Sequence, residues 1–203
     1  MPTAFQKELG TLAQRLADLC ALVAIAFEEA TRCALESDRT LGGRVREDVA
    51  AAAALGAACE EQAGALLVLH APREEDVKAV VAAVHIAADL TRMGGLAGEV
   101  AEPRWRVPVE LRPALGRLGE YAVAAARALR GQLAGEDGSG VADAVALAGA
   151  VERELRTETG GIAWPHGAAA AVDVVLLAAA QARFAGTAAL IARRAARFVA
   201  ITA

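Results

Sequence analysis

The sequence predicts an all-α protein of six helices, arranged as two tandem three-helix bundles that form an internal repeat. The first observation is composition: hydrophobic residues make up 56% of the 203 residues but aromatic residues only 3%, and Ala, Leu and Val dominate. Alanine is the best helix former and a poor strand former. The second is that apolar residues recur at intervals of three and four, with no sustained alternation typical of strands. The third is that breaks rich in glycine and proline divide the chain into six long segments.

The first two helices are predicted from Thr3 to Ser37 and from Thr40 to Leu69. Thr3 followed by Gln6 resembles a capping box, which marks a helix start. The second helix is nearly all small residues in its middle, from Ala50 to Ala58. One apolar stripe runs along the first helix at helical spacing and consists of Phe5, Leu9, Leu12, Leu16, Leu19, Val23 and Ala26.

The third helix is predicted to open at Pro72, since proline is tolerated at the first helical position, and to run to about Glu102. The segment from Pro103 to Pro113 contains three prolines and Trp105. It is the best boundary between the halves. We therefore predict a first repeat over residues 1–104 and a second over residues 105–203.

Turn residues delimit the three helices of the second half. The run Gly135 to Gly140 is a turn, and Ser139 within it is predicted to cap the fifth helix. Gly160 and Gly161 are predicted to end that helix, and Pro165 precedes the sixth. The predicted helices end near Leu133, Thr159 and Val199.

The last helix of each half carries a similar segment. Leu90 to Ala97 in the third helix parallels Gln181 to Ala188 in the sixth. Both segments contain an arginine, then a bulky apolar residue, then small residues. A duplicated three-helix unit explains the match.

Charge and cysteine content argue against two classes of protein. A net charge of -4 disfavours nucleic-acid binding, which relies on clustered lysine and arginine. The exception is Arg193, Arg194 and Arg197, which we interpret as a solvated last turn that suits the helix dipole. Three cysteines without CxxC spacing do not form a disulfide framework. We interpret Cys20, Cys33 and Cys59 as small core residues.

The sequence also indicates a cytoplasmic location. A reducing cytosol fits the cysteine usage, and no signal peptide is visible at the N-terminus. The apolar stretch from Gly167 to Ala182 contains Asp173 and is mostly alanine. It is short of the roughly 20 strongly apolar residues that a membrane span needs, so we expect a buried helix.

Motifs for catalysis are missing from the sequence, and we expect no enzyme activity. A di-iron helical bundle needs Glu-x-x-His, but Leu67, Ala82 and Ala163 stand three residues before the histidines. No phosphate-binding glycine loop is present, and both serines lie at predicted turns. His85 lies in mid-helix among apolar residues, where we expect a buried or interface histidine.

Several segments resemble the PhoU family of phosphate-signalling regulators. In the first half these are Leu66 to Pro72, Asp76 to Lys78 and Asp89 to Gly94, which look like the family's proline turn and arginine motif. In the second half Trp164 to Gly167, Ala170 to Asp173 and Arg183 to Ala185 are similar to the actinobacterial branch. The resemblance covers nearly the whole chain.

The resemblance implies a fold of two three-helix repeats and a non-catalytic role. Family members resemble adaptors that connect the ATPase subunit of a phosphate ABC transporter to a sensor histidine kinase. They hold phosphate uptake and phosphate-starvation genes in check. The resemblance also implies a homodimer that reaches the membrane only through its partners. The alternative is a divergent scaffold or dimer-forming protein with a different partner.

The family often binds metal clusters through one E/D-x-x-x-D motif per repeat, and this sequence departs from that pattern. The positions expected to hold acids are Thr91, Gly95, Ala182 and Gly186. On the second helix the acidic positions fall on the run Ala50 to Ala54, which leaves Glu60. Neutral groups replace the oxygen ligands that hard metals need. We therefore expect no cofactor and little or no cluster binding.

Four family-motif positions are retained, namely Asp89, Arg92, Gly94 and Arg183. An aspartate and an arginine three residues apart can pair on a helix surface. We therefore expect Asp89 and Arg92 to have a structural role. A metal-binding or metalloenzyme bundle is kept as a third hypothesis.

Overall fold

Six long α-helices separated by short connections account for most of this protein. The computed structural model describes residues 3–36, 39–69, 73–161 and 164–202. The helices are α1 (Ala4–Glu36), α2 (Arg39–Leu69), α3 (Glu74–Val100), α4 (Arg112–Leu133), α5 (Gly140–Thr159) and α6 (Gly167–Thr202). A short 3-10 helix, Val109–Leu111, precedes α4, and the described residues contain no strand. The all-α prediction is confirmed. The predicted turn at Ser37 and helix start at Pro72, and His70, lie outside the described residues.

Side-chain capping explains where α1 begins but not where α5 begins. At α1, Gln6 N donates to Thr3 Oγ1 at 3.2 Å, and Thr3 N donates to Gln6 Oε1 at 2.9 Å, which confirms the predicted capping box. At α5 the prediction is wrong in part: Ser139 holds the N-cap position but makes no side-chain cap hydrogen bond. Its φ and ψ of -58° and -31° are already helical, whereas a capping side chain needs extended backbone.

Ser139 is instead engaged by the turn before α5. Its N–H and its hydroxyl each donate to the carboxylate of Asp137 at 2.9 Å. Both hydrogen bonds lower the pKa of Asp137, and the one from the Ser139 backbone contributes more than the one from its hydroxyl. The turn residue, rather than the N-cap serine, therefore accepts the local hydrogen bonds.

The helices pack as two sets of three that share one core. Helices α1, α2 and α3 contact one another, and so do α4 and its neighbours α5 and α6. The sets join where α1 packs against α4 and α3 packs against α6. One hydrophobic cluster of buried residues extends through both sets. The boundary between repeats after residue 104 stays a prediction.

Aromatic side chains are scarce, and two of them meet between the halves. The rings of Phe27 in α1 and Phe184 in α6 stack with their centroids 3.7 Å apart. Phe184 and its counterpart in the sequence echo, Met93, are both fully buried. The bulky position of the repeated segment is therefore a core position in each half.

Cys20, Cys33 and Cys59 form no disulfide and are buried, as predicted. Burial raises the pKa of Cys20 to about 12, because a thiolate loses its hydration in an apolar interior. The Cys20 thiol donates to the carbonyl oxygen of Ala126 at 3.3 Å. These side chains therefore behave as small core residues.

The connection between the halves is fastened to the start of α6. Trp105 Nε1 donates to the Val100 carbonyl oxygen at 2.8 Å. Arg106 donates to Asp173 Oδ2 from its backbone N at 3.1 Å and from its Nε at 2.7 Å. Asp173 therefore has a structural partner from the linker.

Helices α1, α2, α3 and α6 each contain a window long and apolar enough to cross a membrane, judged by length and composition alone. Alanine content produces much of this hydropathy. In the structure 56%, 28%, 56% and 50% of these windows, respectively, are buried inside the protein. The expectation of a buried helix over Gly167 to Ala182 is correct for one face only. Val174 and Leu177 are fully buried, but Val172 and Leu176 are about half exposed.

A polar group sits in the core where α1, α4 and α6 meet. Gln181 is fully buried, and its Nε2 donates to the Leu115 carbonyl oxygen at 3.2 Å and to Thr31 Oγ1 at 3.5 Å. Gly119 lies directly beside this pair. A Cβ there would stand 2.5 Å from Thr31 Cγ2 and 3.1 Å from Gln181 Nε2. The missing side chain at residue 119 therefore allows the three helices to approach.

We predict that Gly119→Ala destabilises the protein by about 1–3 kcal/mol, because the added methyl overpacks buried side chains from two other helices. Gly10→Ala is the matched control. Gly10 is exposed on α1 with nothing within 4 Å of an added Cβ. Alanine there should stabilise by up to about 1 kcal/mol through helix propensity. Denaturant unfolding followed by circular dichroism measures both changes. Equal stability of the two variants would contradict the packing argument.

Candidate functional site

The retained motif residues lie where α3 and α6 pack against each other. Arg183 Nη2 donates to Glu99 Oε2 at 2.6 Å, and Arg194 Nη1 donates to Asp89 Oδ2. Since the later residue of α6 contacts the earlier residue of α3, the two helices run antiparallel. We use the name α3–α6 seam for the line of contact between these two helices together with the exposed residues on either side of it.

Asp89 is the charged residue around which the seam is built. It is 4% exposed and accepts from two arginines, with Arg92 on Oδ1 and Arg194 on Oδ2. The predicted pairing of Asp89 with Arg92 is confirmed, but its placement on the helix surface is wrong. A buried carboxylate needs charged or polar partners to offset lost hydration, and here one partner comes from each half.

Arg194 is a site residue that the sequence interpretation missed. The expectation of a solvated last turn holds for Arg193, which is exposed, and is wrong for Arg194, whose side chain is 30% exposed and paired with Asp89. The side chain of Arg197 lies outside the described part of the chain. A signal was available in α3. Asp89 lies three residues after Ile86 and four before Met93, both fully buried, so the helical period places it on the core face.

Arg183 and Glu99 form a second ion pair between the halves. Their side chains are 58% and 54% exposed, so this pair stands in solvent beside the buried one. Exposed pairs of this kind contribute little to stability, in the range of about 0–1 kcal/mol. Arg183 is therefore available for contact with another molecule.

The positions where the family pattern expects acids are used differently. Thr91 Oγ1 donates to the Ala87 carbonyl oxygen at 3.0 Å and packs directly over Gly56 of α2. Gly95 and Gly186 are exposed, with nothing within 4 Å of an added Cβ, and Ala182 is half-buried. Thr91 is thus a packing residue, and the two glycines leave the backbone open at the surface.

Gly94, a retained motif residue, faces the core. It is buried, and an added Cβ would stand 3.5 Å from Val23 Cγ2 and 3.7 Å from Ala52 Cβ. Glu60, the acid left on α2, is exposed. Within residues 3–36, 39–69, 73–161 and 164–202, no three His, Cys, Asp or Glu side chains converge as a metal site would require.

A groove opens at one end of the seam, between the start of α3 and the end of α6. Its volume is about 430 Å³, and its apolar lining includes Val77, Val81 and Phe198. Lys78, His85 and Arg194 supply its polar groups. The expectation of a buried His85 is wrong, because His85 is exposed and lines this groove. Its interface role stays a prediction.

The charge of the seam opposes that of the whole chain. No acid follows Asp173 in the sequence, whereas four arginines do. Among the described side chains of the seam, Asp89 and Glu99 are the two acids, and each is engaged by an arginine. A chain of net charge -4 therefore presents a basic, partly apolar face.

Comparison with known proteins matches this chain over nearly all of its length. The family model described as the PhoU domain matches residues 16–103. The chain is 36% identical, over an alignment of 203 positions, to the "Phosphate-specific transport system accessory protein PhoU homolog 2" of Mycobacterium tuberculosis, with 96% of this chain and 95% of the relative covered. The chain belongs to the PhoU family. It is also 34% identical to PhoU homolog 1 of Mycobacterium leprae and 31% identical to PhoU homolog 1 of Mycobacterium tuberculosis. Those alignments cover 96% of this chain and 91% and 92% of the relatives.

Membership of the PhoU family confirms the resemblance found from the sequence motifs. Part of the proline turn that carried the resemblance, His70 to Pro72, lies outside the described residues. The arginine motif lies in the seam, and there it supplies ion pairs within and between the halves.

We predict that Asp89→Asn lowers the free energy of unfolding by about 1–3 kcal/mol, because a neutral amide replaces a buried carboxylate that accepts charged hydrogen bonds. Glu99→Gln is the matched control. It breaks the neighbouring solvent-exposed pair and should lose less than about 1 kcal/mol. Chemical denaturation of both variants measures the difference. A control that loses as much as Asp89→Asn would contradict the importance given to burial.

Proposed function

We propose that this protein is a non-catalytic regulator of phosphate uptake and phosphate-starvation signalling, and acts as a negative regulator. The observation that carries the proposal is the nearly full-length match to relatives named as accessory proteins of the phosphate-specific transport system. The seam agrees with a binding role, since its charged groups form ion pairs around an open face rather than a catalytic arrangement.

The proposed partners are the ATPase subunit of a phosphate ABC transporter and the cytoplasmic portion of a sensor histidine kinase. We place the protein in the cytoplasm as a homodimer that meets the membrane through these partners and binds no nucleic acid. The half-exposed apolar side chains on α6, such as Val172 and Leu176, support protein contact. Buried cysteines that form no disulfide support a reducing compartment.

A divergent scaffold with a different partner is the second candidate. The observation in its favour is the replacement of the four family acid positions, two of which are exposed glycines here. Affinity capture separates the two functions. Recovery of the transporter ATPase subunit or the kinase supports the adaptor, and repeated absence of both favours the scaffold.

Deletion of the gene tests the regulatory role. In high-phosphate medium, we expect the deletion strain to express phosphate-starvation genes that the parent strain keeps silent, because the adaptor no longer restrains the kinase. Transcript levels and the rate of phosphate uptake are the measurements. A strain complemented with the intact gene is the control. Silent starvation genes and unchanged uptake, in a strain that lacks any second PhoU-family gene, would contradict the proposal.

We also propose that this protein holds little or no metal cluster. Hard metals need several converging oxygen ligands, and the positions expected to supply them read Thr91, Gly95, Ala182 and Gly186. Elemental analysis of the purified protein should find iron and zinc well below one equivalent per chain. Restoring the acids with Thr91→Glu and Gly95→Asp provides a positive comparison. Stoichiometric, tightly held metal in the unaltered protein would overturn this proposal.

A further inference from the structure

We propose that the α3–α6 seam, together with the groove at its end, binds an acidic amphipathic helix of the partner protein. This inference rests on the proposed adaptor function and names the surface and the chemistry through which it would act. Helices that dock in grooves bind through apolar side chains spaced three and four residues apart, with charges alongside.

The groove provides the apolar end of this surface. Val81 on α3 is 46% exposed and stands at the groove, whose interior side is formed by the fully buried Phe198 of α6. The groove of about 430 Å³ has room for several apolar side chains of a docked helix. Lys78, His85 and Arg194 stand among its lining residues and can contact acids that flank those side chains.

Beyond the groove, each helix continues the surface at helical spacing. The sequence echo between α3 and α6 extends along these positions, and each stripe combines apolar or small residues with charged or polar ones. The stripe on α3 consists of Val81, His85, Ala88, Arg92, Gly95 and Glu99. The stripe on α6 consists of Val172, Leu176, Ala179, Arg183, Gly186, Leu190 and Arg193. At 1.5 Å per residue, the stripe on α3 is about 27 Å long, which matches a helix of about five turns.

Charge identifies the occupant as acidic. Five cations on this surface, Lys78, Arg92, Arg183, Arg193 and Arg194, outnumber its three carboxylates, Asp89, Glu99 and Glu74. Glu74, which pairs with Lys78 at 2.6 Å, lies at the outer end. A second copy of this face would place arginine against arginine, so the surface does not complement itself. Electrostatic complementarity favours a partner of the opposite sign.

The apolar residues argue for a protein rather than a phosphate polymer or a lipid surface. Val172, Leu176 and Leu190 are 55%, 49% and 40% exposed. Leu190 lies between Arg183 and Arg193, whereas Val172 and Leu176 precede Arg183 and also line a separate pocket against the end of α5. Nucleic-acid backbones offer charge without apolar side chains to cover these residues. A flat bilayer surface cannot enter a groove between two helices. An amphipathic helix meets both requirements.

The test compares two double variants with the same change in charge. Arg183→Glu with Arg193→Glu alters the seam. Arg117→Glu with Arg127→Glu alters exposed arginines of α4, outside the seam. Each double variant breaks one exposed ion pair between the halves: Arg183 with Glu99 in the first and Arg127 with Glu28 in the second. Binding of each purified full-length variant to the transporter ATPase subunit and to the cytoplasmic portion of the kinase is measured by calorimetry at two salt concentrations.

We expect the seam variant to lose about tenfold or more in affinity for at least one of these proteins, and the α4 variant to lose less than about twofold. Affinity of the unaltered protein should fall as salt rises. Circular dichroism checks that both variants are folded. If the seam variant is not, Arg193→Glu alone replaces it, because that side chain is exposed. A photoreactive residue at Gly186 should then cross-link to an acidic helical segment of the bound protein.

Each remaining outcome overturns the inference. Unchanged binding by the seam variant, or equal loss by both variants, removes the seam as the docking surface and leaves the adaptor function standing. Failure of the unaltered protein to bind either partner overturns the adaptor function, and the inference falls with it. Binding to anionic phospholipid vesicles or duplex DNA that depends on the seam arginines, with partner binding unaffected, assigns the seam to that ligand instead.

Discussion

Close approach of helices with small side chains is the constraint on which this fold depends. With aromatic residues at 3%, most of the core is aliphatic and much of it is alanine, and stability comes from the number of atoms in contact rather than from aromatic anchors. Glycines are placed where a methyl group would hold helices apart, as at Gly119 beside Gln181 and at Gly56 beneath Thr91. Thr91, where the resemblance predicts an acid, is thus a packing contact in this chain.

Close approach of α3 to α6 also determines the charges at the centre of the protein. It takes Asp89 out of water, and a buried carboxylate is tolerated only with partners that replace its hydration. Arg92 and Arg194 supply them, one from each half. Because Arg194 is held on α3, the end of α6 lies against the start of α3, and Phe198 closes one side of the groove. The core, the ion pairs and the groove are therefore consequences of a single packing contact.

The sequence predicted the six helices and most of their ends because glycine, proline and capping residues act locally, as Thr3 and Gln6 do at α1. It did not predict which faces are covered. Alanine lies on both faces of α6, so apolar periodicity is weak there, and the exposure of Leu176 was missed. The pairing of Asp89 with Arg194 joins residues 105 positions apart, and only the fold brings them together. His85 was predicted to be buried or at an interface because its sequence neighbours are apolar, but apolar neighbours do not determine which side of α3 meets solvent.

The residues at the four positions where the resemblance predicts acids bear on the basic character of the seam. All four are neutral, and two of them, Gly95 and Gly186, are exposed on α3 and α6, whereas Thr91 packs against Gly56 of α2. The carboxylates that remain, Asp89 and Glu99, are already paired. Nothing within this face then balances Arg193 and the second arginine on Asp89, and unbalanced surface cations attract anionic ligands. The acidic helix that we propose as the occupant would supply the carboxylates that this face lacks.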